Sequence, residues 1–70
     1  MEDFIKEKEI VLSQTRSYLM ALADTGAPPV LMLAILNIRD RAATANKSEW
    51  KKEGYYQWWL DTRPEYLKTQ

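Results

Sequence analysis

Residues 4–23 read FIKEKEIVLSQTRSYLMALA, and their order predicts a long amphipathic helix. At about 100° per residue, the apolar side chains fall on two adjacent lines along such a helix: Phe4, Val11, Tyr18 and Leu22, and Ile5, Leu12, Leu19 and Ala23. Thr15 lies inside this stripe, and most charged side chains lie outside it. Because only one side is apolar, that side should pack against another element. We predict a helix over about residues 3–24.

The residues that follow predict a tight reversal of the chain. Gly26 is a typical residue just beyond a helix C-terminus, and Pro28-Pro29 suits the first turn of a new helix. Two helices joined by about four residues pack as antiparallel neighbours. The sequence therefore predicts a helical hairpin whose second helix spans about residues 29–46.

The predicted second helix is apolar on more than one side. One stripe contains Leu31, Ala34, Ile35, Ile38, Ala42 and Ala45, which we assign to the contact with the first helix. A separate face contains Met32, Leu36 and Ala43, with Leu33 beside it. A helix of this kind must be covered on two sides. Either a third helix or a partner covers the second face.

The sequence after Ala45 predicts a third helix. Asn46 and Glu49 have the spacing of a capping box, so we expect a helix over about residues 47–61. The alternative is one long helix over residues 29–61, since nothing between them strongly opposes a helix. Gly54 lies inside the predicted helix and marks either a kink or a close backbone contact.

A short turn is predicted to follow the third helix. Pro64 disfavours helical geometry in the residue before it. Thr62 and Glu65 have the spacing of a second capping box, which predicts a final turn as far as Lys68 within residues 62–70.

The C-terminal third is rich in aromatic residues. Residues 50–66 read WKKEGYYQWWLDTRPEY and contain six of the eight aromatic side chains of the chain. On a helix these rings point in almost every direction, so a one-sided core cannot bury them all. We expect one face to pack inside and another to contact a second protein chain, because Trp and Tyr are enriched in such interfaces. The alternative is that the rings only complete the core of the monomer.

The sequence is compatible with two other binding functions. Single-stranded nucleic acid could stack on Trp50, Tyr55, Trp58 and Trp59, although the acidic residues among them would repel phosphates, so this partner is disfavoured. A nucleotide-like ligand could bind between aromatic rings at a subunit seam, with Arg39 or Arg63 contacting an anionic group. The spacing of these residues is diagnostic of neither function.

Composition argues against an enzyme and against a metal site. The chain has no His and no Cys, so the commonest general base, the strongest nucleophile and the usual zinc ligands are missing. We predict no catalytic residue, no metal and no cofactor. Ten basic and ten acidic residues give a formal net charge of zero, which gives no reason to expect a polyanionic partner. The longest apolar stretch has ten residues, against about 20 for a membrane span.

Together these features predict a single all-α domain over residues 1–70, a small three-helix unit that assembles as a homo-oligomer. A 70-residue chain without disulfides or metal has a marginal core, which favours association. The predicted function is that of a cytoplasmic, non-enzymatic accessory, adaptor or inhibitor that binds a protein partner or itself. The predicted interface residues are Met32, Leu36, Arg39, Trp50, Tyr55, Trp58, Trp59 and Arg63.

Overall fold

The computed structural model describes residues 3–68, and over that range the chain is helical and contains no strand. Its helices are α1 (Asp3–Thr25), α2 (Pro29–Thr44), α3 (Lys47–Glu53) and α4 (Tyr55–Thr62), followed by a 3-10 turn at Glu65–Leu67. The predicted all-α fold class is therefore confirmed.

Helix α1 ends where Gly26 leaves the helical conformation. Gly26 has a φ of 72°, which is the left-handed region that glycine adopts at little cost. The Ala27 amide donates to the Leu22 carbonyl at 3.0 Å, and the Gly26 amide donates to the Ala23 carbonyl at 3.3 Å. This pair of bonds is a Schellman motif, which satisfies the last carbonyls of the helix and turns the chain towards Pro29.

Helices α2 and α3 are separate, so the alternative of one helix over residues 29–61 is wrong. Ala45 is extended, with a ψ of 138°, and ends α2 after Thr44. The Glu49 amide then donates to the Asn46 side chain at 2.9 Å, and the Asn46 amide donates to the Glu49 carboxylate at 3.1 Å. The predicted capping box is present, and its reciprocal bonds satisfy two amides at the start of α3.

Gly54 divides the predicted third helix into two. Its φ of 66° and ψ of 39° are left-handed, so α3 ends at Glu53 and α4 starts at Tyr55 in a new direction. A Cβ at Gly54 would meet no atom within 4 Å. Of the two roles predicted for this glycine, the structure therefore supports the bend and not a close backbone contact.

The C-terminal turn forms as predicted in position but not in its cap. Arg63 and Pro64 are extended, and Pro64 precedes the 3-10 turn without any side-chain cap. The predicted capping role of Thr62 is wrong, because Thr62 is the last residue of α4. Pro64 keeps Arg63 out of the helical conformation, and this separates Thr62 from the turn that it was expected to cap.

The core lies where α1 meets the aromatic C-terminal third. It consists of the buried side chains Val11, Ala42, Ala45, Trp50, Trp59 and Leu67, with Phe4, Tyr18, Tyr55, Tyr56 and Trp58 packed partly buried against them. Helix α1 packs against both α2 and α4, and α4 also packs against α3. The Cα trace measures 37 × 25 × 16 Å, so the unit is thin.

Polar side chains connect α1 to α2. Lys8 Nζ donates to the Ala45 carbonyl at 2.8 Å, at the C-terminal end of α2 where a cation is favourable. Arg39 donates from Nε to Thr15 Oγ1 at 2.9 Å and from Nη2 to the Leu12 carbonyl at 3.1 Å. Thr15 is fully buried, and its hydroxyl donates to the Val11 carbonyl at 2.6 Å. These bonds tie the N-terminal half of α1 to the C-terminal half of α2.

Candidate interaction surfaces

Two of the three tryptophans belong to the core of the single chain. Trp59 is 0% exposed and Trp50 is 2% exposed. Trp50 Nε1 donates to the Glu7 carboxylate at 2.9 Å, and Trp59 Nε1 donates to the Gln14 side-chain oxygen at 2.8 Å. A buried indole needs such an acceptor, and α1 supplies both from positions two turns apart on one side of the helix. Both rings are therefore fully accommodated without a partner.

Ring contacts extend from these two tryptophans to their neighbours. Phe4 meets Trp50 edge-on at 5.8 Å between ring centroids, and Tyr55 lies 5.6 Å from Trp50. Tyr18 and Trp58 each lie 5.9 Å from Trp59. Pairs at these distances stabilise a core beyond the area that they bury. The aromatic run is therefore largely an internal structure, while Tyr66 remains 53% exposed.

The structure divides the eight predicted interface residues into three groups. Trp50 and Trp59 are buried, Leu36 is exposed, and the others are half-buried: Met32, Arg39, Tyr55, Trp58 and Arg63. It brings the Trp and Tyr members together around α1, and it places Met32, Leu36 and Arg39 on one stripe of α2. Their part in binding a partner stays a prediction, but the two buried tryptophans contribute first to the fold.

The two predicted arginines have different environments. Arg39 is fixed by Thr15 and Leu12, and within residues 3–68 it forms no ion pair with a carboxylate. Arg63 donates from Nη1 to the Leu67 carbonyl at 3.5 Å, and its buried Nε has no hydrogen-bond partner in the described part of the chain. The two side chains lie on different elements, Arg39 in α2 and Arg63 just beyond the end of α4.

The first half of α2 carries a row of uncovered aliphatic side chains. Val30 is 74% exposed, Leu33 58% and Leu36 37%. Leu33 lies about 160° around the helix from the buried Ile35, so it points away from the interior. We call Val30, Leu33 and Leu36 the outer α2 surface. Helix α4 packs on α1 and α3, so the possibility that the predicted third helix covers this face is not realised.

Sequence reasoning placed Leu33 and Leu36 on this face but missed Val30. A signal was present, because Val30 follows two prolines in the first turn of α2, where few neighbouring side chains can cover it. The two stripes predicted to face inward were also too wide, since Ile5 on α1 is 54% exposed and Leu31 on α2 is 40% exposed. The sequence indicates which sides of these helices are apolar. Whether those sides are buried depends on which other helices pack against them.

A polar cavity lies beside the junction of α2 and α3. It has a volume of about 310 Å³ and is lined by Arg41, Thr44, Ala45, Glu49, Glu53 and Tyr55. One Glu49 oxygen is already used in the capping box. Charges of both signs line the cavity, so it presents no uniform field to an ion. Within residues 3–68, no group of three or more acidic residues is placed to hold a metal.

In the described part of the chain, no helix combines the length and the apolar character needed to cross a membrane. No protein-family model, curated protein or solved structure matches this sequence. Function is therefore inferred from the surfaces described above.

Proposed function

We propose that this protein is a small non-enzymatic interaction protein that associates with itself through an apolar helical surface. The observation that supports this proposal is the outer α2 surface, where three large aliphatic side chains are exposed side by side. Single exposed apolar residues are common on proteins, but contiguous apolar patches larger than a few hundred Å² mark contact sites.

The expected association is reversible and moderate. Burying one such side chain completely is worth about 1.5–3 kcal/mol. Against that gain stand the lost translational and rotational freedom of two chains and the ordering of their side chains. Stable interfaces bury about 800 Å² per partner, and the outer α2 surface is smaller than this. We therefore expect a dissociation constant of roughly micromolar order.

Size and charge also favour self-association. A domain of this length buries only about 60% of its unfolded surface and often needs additional support. The chain has no cysteine for a disulfide, and its zero net charge means that two copies do not repel each other overall.

An antiparallel helical hairpin formed by α1 and α2 is part of this proposal, because it provides the rigid platform for the surface. The bonds from Lys8 to the Ala45 carbonyl and from Arg39 to the Leu12 carbonyl support it, since they pair early residues of α1 with late residues of α2. No observation favours the nucleic-acid alternative, because base stacking needs exposed rings and both Trp50 and Trp59 are buried.

Sedimentation equilibrium between about 1 μM and 1 mM protein tests self-association across the micromolar dissociation constants expected above. The single chain has a mass of 8.2 kDa, and the weight-average mass is expected to approach twice that value as concentration rises. A mass of one chain at every concentration would contradict the proposal. Far-UV circular dichroism on the same samples shows whether the helices are present throughout.

A further inference from the structure

We infer that Leu33 and Leu36 of the outer α2 surface bind the same two residues of a second copy, with the two α2 helices antiparallel about a twofold axis that passes between residues 34 and 35. This inference rests on the self-association proposed above, and it specifies the contact. The inference is based on one line of side chains along α2, with a carboxylate at one end of the line and the N-terminus of the helix at the other.

The line consists of Pro29, Leu33, Leu36 and Asp40. Their spacing is four, three and four residues, so they lie within an arc of about 60° on the helix. This is the spacing of the seam along which two helices pack with their side chains interdigitated. All four residues are exposed in the single chain.

When the second α2 runs antiparallel to the first, each residue of this line lies opposite another residue of the same line. In the proposed dimer Leu33 of one copy lies against Leu36 of the other, and the twofold axis repeats that contact. Pro29 lies against Asp40 of the second copy at both ends. On the flank of the line, Met32 lies beside the methylene stem of Arg39 of the second copy. The centre of the contact is therefore apolar, and its ends are polar.

The charges along α2 fit this arrangement. Residues 28–38 contain no charged side chain, so the two apolar centres meet without like charges. The N-terminus of α2 has no side-chain cap and no acidic residue in its first turn. Asp40 is exposed, and within residues 3–68 its carboxylate forms no hydrogen bond or ion pair. In the dimer this carboxylate lies at the positive end of the helix dipole of the second copy, where an anion is favourable.

A second copy of this chain is favoured over an unrelated helix because α2 carries both sides of every proposed contact. The leucines, the unpaired acid and the uncapped helix end all lie on α2, at positions that the same twofold axis exchanges. Antiparallel α2 helices also place their dipoles in opposite directions, which is the favourable arrangement.

Site-specific cross-linking tests the register, since the natural chain has no cysteine to interfere. We would mix ¹⁵N-labelled Pro29→Cys protein with unlabelled Asp40→Cys protein and treat the mixture with a short bis-maleimide. Mass spectrometry then separates mixed pairs from like pairs. Mixed 29–40 products are expected well above the half share that random pairing gives, because identical residues of the two antiparallel copies lie about 16 Å apart along the helix axis. Met20→Cys is the matched control, because Met20 is 61% exposed but lies on α1.

A second pair of variants tests the surface itself. Leu33→Glu is expected to raise the dissociation constant at least about tenfold, because the twofold axis places two carboxylates in the apolar centre. Met20→Glu adds the same charge at an exposed site on α1 and should leave the constant within about twofold. Asp40→Lys should weaken association severalfold by placing cations at the helix N-termini.

Each failure has a distinct meaning. A predominance of 29–29 and 40–40 products would show a parallel dimer and overturn the register. Association that withstands Leu33→Glu would overturn the surface, whatever the effect of Met20→Glu, while the proposed self-association would stand. A wild-type chain that stays monomeric at all concentrations would overturn both, and circular dichroism excludes unfolding as the cause.

Discussion

Residues 50–67 and the first half of α2 both carry many large apolar side chains, yet the two regions are covered in opposite ways. Trp50, Trp59 and Leu67 are buried, whereas Val30, Leu33 and Leu36 are exposed. Apolar content alone therefore does not decide burial. The two buried indoles find acceptors on Glu7 and Gln14, and the chain bends at Gly54 to bring both rings to α1.

Within residues 3–68, the outer α2 surface has no such neighbour. Helix α1 is covered on one side by α2 and on another by α4, and α3 packs against α4. None of these contacts covers the outer side of α2 in the described residues. A unit only 16 Å thick cannot cover both sides of every helix. The uncovered side is therefore a consequence of size, and it leaves a surface that association can bury.

The largest expected effect is on the buried aromatic region. Trp59→Ala should cost about 3–5 kcal/mol, because it leaves a large cavity and removes the bond to Gln14. A domain of this size has little more stability than that, so the variant is expected to be unfolded by circular dichroism. Trp58→Ala, at a half-buried neighbour, should remain largely folded. Equal stability of the two variants would contradict the contrast between buried and partly exposed rings.

Two aliphatic positions on α2 give the most direct comparison of the inner and outer sides. Ile35→Ala should cost about 2–5 kcal/mol, since Ile35 is 3% exposed. Leu33→Ala should change the stability of the monomer by no more than about 0.5 kcal/mol. Urea titrations followed by circular dichroism, at protein concentrations below dimer formation, provide both values. A large loss at Leu33 under those conditions would show that the monomer already covers this face.

The hydrogen bonds to the indoles can be tested separately from ring packing. Gln14→Leu leaves the buried Trp59 Nε1 without an acceptor and should cost about 1–3 kcal/mol. Gln14→Glu keeps an acceptor oxygen and should cost less. Urea denaturation measures both changes in the free energy of unfolding. If the two variants are equally stable, the contact to Gln14 contributes only packing.

A smaller loss of stability is expected at the bend that separates the aromatic residues into two helices. Gly54→Ala should cost about 1–2 kcal/mol, because a side chain is strained in the left-handed region. Since a Cβ there meets no neighbour, the cost is conformational only. Gly54→Asn should cost less, because Asn adopts this conformation more readily. Thermal unfolding followed at 222 nm measures both, and equal losses would point to a clash instead.

Much of the fold could be predicted from local signals. Gly26, Pro29 and the Asn46–Glu49 pair mark helix ends because their effects depend on the backbone and on neighbours within a few residues. The roles of Gly54 and Thr62 were harder to predict. A glycine within a helical pattern either stays helical or ends the helix, and the cap predicted at Thr62 is lost because α4 continues to that residue. Of the predicted site residues, Met32, Leu36 and Arg39 lie on one stripe of α2, whereas Trp50 and Trp59 lie inside, and their part in binding stays a prediction.

The helical class and the amphipathic sides of α1 and α2 can be read from the sequence, because they follow from periodicity and from local backbone preferences. Which apolar side is covered depends on how the helices pack. Trp59 is buried because α4 reaches Gln14 on α1, and Leu33 is exposed because no element of the described chain reaches it. Burial depends on contacts between residues that are far apart in the chain, and a local sequence pattern does not predict those contacts.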